Sequence, residues 1–446
     1  MSSAATASLW KALGGRAGLL ESVSFSGEPE GLASRFEVGA LASATVAVAA
    51  LAVAELWSAR TAARLRRVHV DQRLAATAFR CERLLEPQGW TLPERTDPVI
   101  GDYRGSDGWI RLHTNYPHHR DAALRVLGAT ADKSAVSAAV ARWNVAELES
   151  AVLEAGGCAA ALRSREDWSR QPQGRAVAAE SVVAWHGKCA REPKPGASSA
   201  PLSGIRVLDL TRVIAGPVGS RFLAAHGADV LRIDPPGFNE GEALLAETTM
   251  GKRCASLNLK KAGDRKLFQE LVSGADVLLH GYRPRAMESL GYDEESLRKL
   301  NPALAIVRHN AYGWSGPWAD RRGFDSLVQM SSGIAHPGND GAPTPLPAQA
   351  LDHGTGFLLA AAACRALTGG HACARLSLAR TARLLVDLER SAPAAQAAAE
   401  PSELYETVNI AWGALRRIRS PGEIEGYQVY WRTPAGPLGR HEPRWL

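Results

Sequence analysis

Asp352 opens a long apolar run, LDHGTGFLLAAAACRAL at 351–367, with Gly354 and Gly356 close behind it. An acid in that place reads first as a helix N-cap, because its oxygens can accept from the free N–H groups of the first turn. The same place also suits a nucleophile. The positive end of the helix favours the ionised carboxylate, and the two glycines remove side chains where an electrophile would approach bare backbone. A carboxylate attacks poorly in water, so such chemistry needs a dry pocket, close placement and a donor for the tetrahedral oxyanion. Other candidates are weaker. His118 and His119 form a pair without further ligands nearby in sequence, and His309 and His336 stand alone. His353 follows Asp352 directly, and adjacent helix residues do not face the same way. No GxGxxG precedes a helix and no Walker loop is present.

The elements that would position Asp352 are legible from periodicity. After Pro201, apolar runs at 205–210, 228–234, 275–280 and 304–308 alternate with helical stretches at 215–225, 262–273 and 294–300. Strands alternating with helices predict a parallel sheet covered on both faces. Upstream, the pattern predicts helices over 36–60, 72–85, 119–127, 132–141 and 145–155, and strands at 67–71 and 107–113. Pro193 and Pro195 with a Ser/Ala stretch mark a linker.

The chain also repeats itself. LASATVAVAALAVAEL at 41–56 and LDHGTGFLLAAAACRAL at 351–367 are small-residue helices, each followed by a short alternating strand and another helix. Setting Ser43 against Gly354 places Leu41 opposite Asp352, so one copy carries the acid and the other does not.

At 446 residues, with 46% hydrophobic and 22% charged residues, the chain has enough apolar surface for two or three packed units. The net charge of +6 is spread along the sequence with no dense basic block, which excludes a nucleic-acid arm. Six cysteines form neither a CxxC pair nor a zinc spacing, and no secretory signal precedes them. A reduced, cytoplasmic protein is expected. Residues 38–54 carry no charge, but Ala and Val dominate and Glu37 and Glu55 close the run. A buried helix is expected there rather than a membrane span.

Residues 201–217, PLSGIRVLDLTRVIAGP, resemble the opening of class III CoA-transferases, the family of formyl-CoA transferase and carnitine CoA-transferase, whose fold the alpha-methylacyl-CoA racemases share. The resemblance continues in order through GADVLRID at 227–234, GKR at 251–253, LNLK at 257–260, ADVLLHGYRP at 275–284, Leu290-Gly291, GFDSLVQ at 323–329 and LDHGTG at 351–356. DGWIRLH at 107–113 resembles the start of the family's smaller domain, which ordinarily follows the large-domain segment and here precedes it.

The resemblance implies an α/β fold with a Rossmann-like parallel-sheet large domain and a smaller α/β domain, in rearranged order. The expected divisions are a flexible 1–30, a degenerate large-domain half at 31–90, a small domain at 91–190, a linker at 191–200, a CoA-binding segment with the catalytic acid at 201–390, and an extension at 391–446. It implies that Asp352 attacks an acyl-CoA thioester and forms a mixed anhydride, so that CoA passes to an incoming carboxylic acid. It places Arg212, Val213, Leu257, Lys260, Tyr282, Leu290 and Arg322 around the coenzyme A thioester, which is a substrate; no permanent cofactor, metal, nucleic acid or membrane is expected.

The family fold is an interlocked dimer, so a homodimer is expected, although pairing with a related chain or completion of one unit by the chain's own halves stays open. Ile214 replaces a polar residue that stabilises the intermediate in formyl-CoA transferase, and no Gly-rich closing loop is visible. Phe324 stands where the transferase has Tyr and the racemases have a catalytic His. Racemisation needs an acid/base on each side of the carbon, so transferase is preferred over racemase. A non-catalytic CoA-binding scaffold is the remaining alternative.

Overall fold

The computed structural model describes residues 1–28, 32–93, 97–189, 192–196, 199–283, 285–339, 341–388 and 401–446. Apolar runs buried on both faces form a seven-stranded sheet, as strands enclosed by helices must. Across the sheet the order is Lys252–Ser256, Asp229–Asp234, Arg206–Leu210, Val277–His280, Ala305–Asn310, Cys373–Ser377 and Ala184–His186. The first six are parallel. The seventh is antiparallel, with His186 opposite Cys373. In chain order the parallel strands run third, second, first, fourth, fifth, sixth. The winding therefore reverses between Arg206–Leu210 and Val277–His280, and the crevice beyond that reversal is where α/β sheets take their ligands.

Helix Ala350–Thr368 lies in the core between helix Val38–Thr61 and helix Ala215–Ala225. Both long helices are apolar on nearly every side, as enclosed helices must be. Val38–Thr61 is long and apolar enough to cross a membrane by length and composition, and its most apolar stretch is wholly buried inside the protein. The two helices run alongside each other. Leu41 packs against Gly354, and Glu55 pairs with Arg365 at 2.5 Å.

The repeated order recurs in the structure. Val38–Thr61 leads to strand Val68–Asp71 and helix Gln72–Ala78, and Ala350–Thr368 leads to strand Cys373–Ser377 and helix Leu378–Val386. Each short helix is capped by the last strand residue, Asp71 in one copy and Ser377 in the other. The copies differ in partners, since Val68–Asp71 pairs with Val23–Ser26 in a separate small sheet.

A smaller sheet, Gly101–Arg104, Trp109–Leu112 and Ala159–Ala161, carries helices Pro117–Leu127, Lys133–Val140 and Val145–Glu154 over its own core. Strand Ala184–His186, inside the stretch expected to form the small domain, instead extends the large sheet. The C-terminal strands return to the first half: Gly413–Ile418 pairs with Glu86–Gln88, and Glu423–Ile424 pairs with Val68 and His69.

The flexible start expected for residues 1–30 is corrected. Ser2–Ala12 is a helix against Val38–Thr61, with Leu9, Trp10 and Leu13 buried. Leu9 and Leu13 recur at helical spacing, and burial against a neighbour far along the chain outweighs the weak local signal of small polar residues. In the expected linker, the described residues are held by Arg60, whose guanidinium donates to the carbonyls of Lys194, Pro201 and Ser203. The division at 390/391 and Pro284 lie outside the described residues.

Candidate active site

The first strand of the parallel series ends in a buried charge cluster. Asp209 accepts from the Thr211 backbone N–H at 2.9 Å, from the hydroxyls of Thr211 and Ser220, and from the Lys252 ammonium at 3.1 Å. Burial opposes the Asp209 charge, but Lys252 and the hydroxyl donors outweigh it and hold the carboxyl below its ordinary value. This fixes the Thr211–Ile214 turn. Within it Val213 takes φ 66°, a strained conformation for a β-branched residue. Its N–H donates to buried Glu240. Arg212 points to the opening, with its guanidinium 3.1 Å from the Tyr282 hydroxyl, 3.3 Å from Asp234 and 4.1 Å from the centre of the Phe238 ring.

A cleft of about 330 Å³ opens at this point of reversal. Arg212, Val213, Tyr282, Arg322 and Asp352 all line it. Leu257, Lys260 and Leu290 do not. Leu257 is buried in the core beside the sheet, Leu290 packs against the same core, and Lys260 is exposed beyond it. The first half contributes Tyr116, His118 and His119, and the second also brings Phe238, Arg283, His309 and Asn310. Their signals in sequence were single rings and charges, and nothing local showed that residues 116–119 would meet residue 352.

Asp352 sits in the first turn of Ala350–Thr368 and is 9% exposed. The N-cap is Gln349, which corrects the expectation that Asp352 caps its own helix. Asp325, in the GFDSLVQ stretch, takes the capping role through space: its carboxylate accepts from the backbone N–H groups of Leu351 at 2.8 Å and Asp352 at 2.9 Å. Gln329 fixes Asp325 by donating to its other oxygen. Burial, then the negative charges of Asp325 and Glu82, raise the Asp352 carboxyl well above its ordinary value. Burial also pushes Asp325 up to about 6, against the donors that favour its charge. Burial and like charge thus act against the helix terminus, which favours the ionised carboxylate. Glu82, from the first half, pairs with His353 at 3.1 Å, and Phe79 stacks on that imidazole.

The glycines serve a different purpose from the one expected. A Cβ on Gly356 would fall 2.5 Å from the Ala215 carbonyl oxygen, and one on Gly219 would fall 2.6 Å from the Gly356 oxygen. These two glycines let helix Ala215–Ala225 touch the acid-bearing helix, which brings Asp352 against the Arg212–Val213 turn. Gly354 faces Leu41 and Thr381 rather than open space. Ile214 is 7% exposed and starts helix Ala215–Ala225. Phe324 lines the cleft, with the His113 ring flat upon it at 3.7 Å between centres.

Two donor groups among the described residues lie close enough to share an ion, Cys81–Glu82–His353 and His186–Glu294–Cys373. Guanidinium groups already meet both: Arg221 reaches Cys81, and Arg308 and Arg375 reach Glu294. A cation would be repelled there.

Residues 202–399 match the family described as CoA-transferase family III. Acetyl-CoA:oxalate CoA-transferase of Acetobacter aceti is 38% identical over 166 residues, covering 34% of this chain and 43% of that protein. Succinate–glutarate CoA-transferase of Agrobacterium fabrum is 37% identical over 152 residues, covering 30% of this chain and 38% of that protein. A crystal structure of a CAIB/BAIF family protein from Brucella suis superposes with a TM-score of 0.37 at 25% identity, covering 49% of this chain and 65% of that one. The chain spans less than half the length of these two curated relatives. The stretch from residue 202 to residue 399, with Asp352 and the turn that lines the same cleft, is thus the part of this chain that is similar to CoA-transferase family III.

Proposed function

We propose that the protein moves CoA between an acyl-CoA thioester and a carboxylic acid through an acyl anhydride on Asp352. The observation that carries this reading is the placing of Asp352 in the same cleft as Arg212, Val213, Tyr282 and Arg322, at the reversal point of a parallel sheet. The Asp352 carboxylate attacks the thioester carbonyl, the C–S bond breaks, and CoA leaves as the thiolate. The acceptor carboxylate attacks the Asp352 carbonyl of the anhydride and releases the donor acid. The thiolate then attacks the acceptor's acyl carbon, which forms the new thioester and frees Asp352. Arg322 and Arg212 supply cationic donors for the CoA phosphates. Replacing Arg322 by alanine is expected to raise KM for the CoA ester about tenfold with kcat little changed, as steady-state kinetics would read.

Hydroxylamine tests the intermediate. Incubated with a panel of acyl-CoAs, it should convert the anhydride into a hydroxamate on Asp352, visible by peptide mass. No adduct with any acyl-CoA would favour the scaffold reading, which the buried Ile214 and the ring-covered Phe324 motivate. Racemisation lacks a second acid/base at position 324, because Phe carries no ionisable group.

The proposed nucleophile acts ionised, and its pKa is raised, so kcat/KM should climb with pH until the carboxyl has lost its proton. Asp325→Asn removes the negative charge that raises the Asp352 carboxyl most, yet keeps an acceptor for the helix N–H groups. The acidic limb of the pH–rate profile should then move to lower pH. An unmoved limb, or one moved upward, would show that Asp325 does not set the ionisation of Asp352.

A further inference from the structure

We infer that the carboxylic acid handled in this cleft is aromatic, and that Tyr116 and His119, at the start of helix Pro117–Leu127 in the first half, select it. The inference rests on the transferase reading for the site and adds the class of its acyl group. The chain leaves strand Trp109–Leu112, and the first turn of helix Pro117–Leu127 carries these rings into a cleft whose acid belongs to the other half. Phe324 is the hub. It precedes Asp325, whose carboxylate holds the Asp352 turn. His113 covers one face of Phe324. Tyr116 lies 6.1 Å away at 30°, and His119 meets it edge-on at 6.0 Å. Phe238 continues the wall, 6.2 Å from Tyr116.

Two rings of this wall are imidazoles without charge near neutrality. Burial brings His119 down to about 4 and His113 down to about 3, so both imidazoles are neutral. The cleft is also lined by short apolar groups, among them Val213, Ala215, Ala311 and Leu378. Flat rings and short aliphatic groups in one cleft favour a planar apolar guest, since stacked and edge-on ring pairs add to simple burial.

Binding decides the inference apart from turnover. With Asp352→Asn, which blocks the covalent step, affinities for benzoyl-CoA, cyclohexanecarbonyl-CoA, succinyl-CoA and free CoA would be compared by calorimetry. Benzoyl-CoA should bind about three- to tenfold more tightly than the saturated ring analogue, and more tightly still than succinyl-CoA. Tyr116→Leu and Phe324→Leu should each erase the preference of the flat ring over the saturated one while leaving free CoA unchanged. Tightest binding of succinyl-CoA would overturn the inference. So would an equal loss for all four ligands in the variants, because the rings would then hold the adenine. In the unaltered protein, transfer to succinate but not to benzoate would overturn the aromatic class and leave the transferase reading intact. Failure of transfer to every acid would remove the transferase reading, and the binding order would still decide the aromatic guest.

Discussion

Asp352→Ala is expected to lower kcat for CoA transfer by about four orders of magnitude while the acyl-CoA still binds with nearly unaltered affinity. The separation follows from where the residue sits. Its carboxylate is on the helix that closes the cleft, whereas the cations and rings proposed to hold the ester come from the Arg212 turn, Tyr282 and Arg322. Removing the nucleophile leaves the Asp325 contacts to the helix N–H groups in place, because those are backbone bonds. Stopped-flow release of free thiol would read the first step, and fluorescence or calorimetric titration would read binding. Normal turnover in this variant would sink the anhydride mechanism. The same substitution should also stabilise the fold at higher pH. A carboxyl whose folded pKa is raised costs stability as pH climbs from its unfolded value through its folded one, and alanine carries no such cost. The gain in Tm over the unaltered protein should therefore be small near pH 4 and larger near pH 8.

Lys252→Met is the second large effect, and it acts on stability. Lys252 and Asp209 are fully enclosed, 3.1 Å apart. Burial pulls the ammonium pKa down while Asp209 pulls it up. Without the ammonium, the Asp209 charge loses its opposite partner in the interior, which costs about 3–5 kcal/mol. The urea midpoint should fall accordingly. The double variant Lys252→Met/Asp209→Asn should recover much of the loss, because the amide carries no charge to leave unpaired. If the single and double variants were equally destabilised, packing rather than charge would be responsible. The single variant should also loosen the turn that carries Arg212 and Val213, raising KM for the CoA ester.

Lys252 belongs to the GKR stretch by which the family resemblance could be recognised, yet its role could not be read there, because its partner is two strands away in the sheet. The same division runs through the molecule. Strands were legible because enclosed parallel strands must be continuously apolar, and the helix at 38–61 was legible from its length and lack of charge. Asp352 was legible as an acid at a helix start beside a family-like LDHGTG. Its ionisation was not, because the decisive charges come from Asp325 and Glu82, 27 and 270 residues earlier in the chain. Gly356 was seen as unusual and misread, since only the crossing of two helices shows that a carbonyl oxygen fills the space. Tyr116 gave no signal at all: a ring on a loop acquires meaning from the wall it joins.

The burial of helix Val38–Thr61 also bears on synthesis. Its chief cover, Ala350–Thr368, emerges from the ribosome long afterwards, by about 15–60 s at roughly 5–20 residues per second. The strand Glu423–Ile424 that pairs beside it arrives later still. Meanwhile a 24-residue segment with the length and hydropathy of a membrane span has only the helices Ser2–Ala12 and Gln72–Ala78 and the nearby strand Val68–Asp71 for company. The nascent chain thus carries an unsatisfied greasy rod through most of translation. Full burial of this helix must wait for the late arrival of Ala350–Thr368, and a holdase that shields the segment should improve the yield of native protein more than one that acts after release.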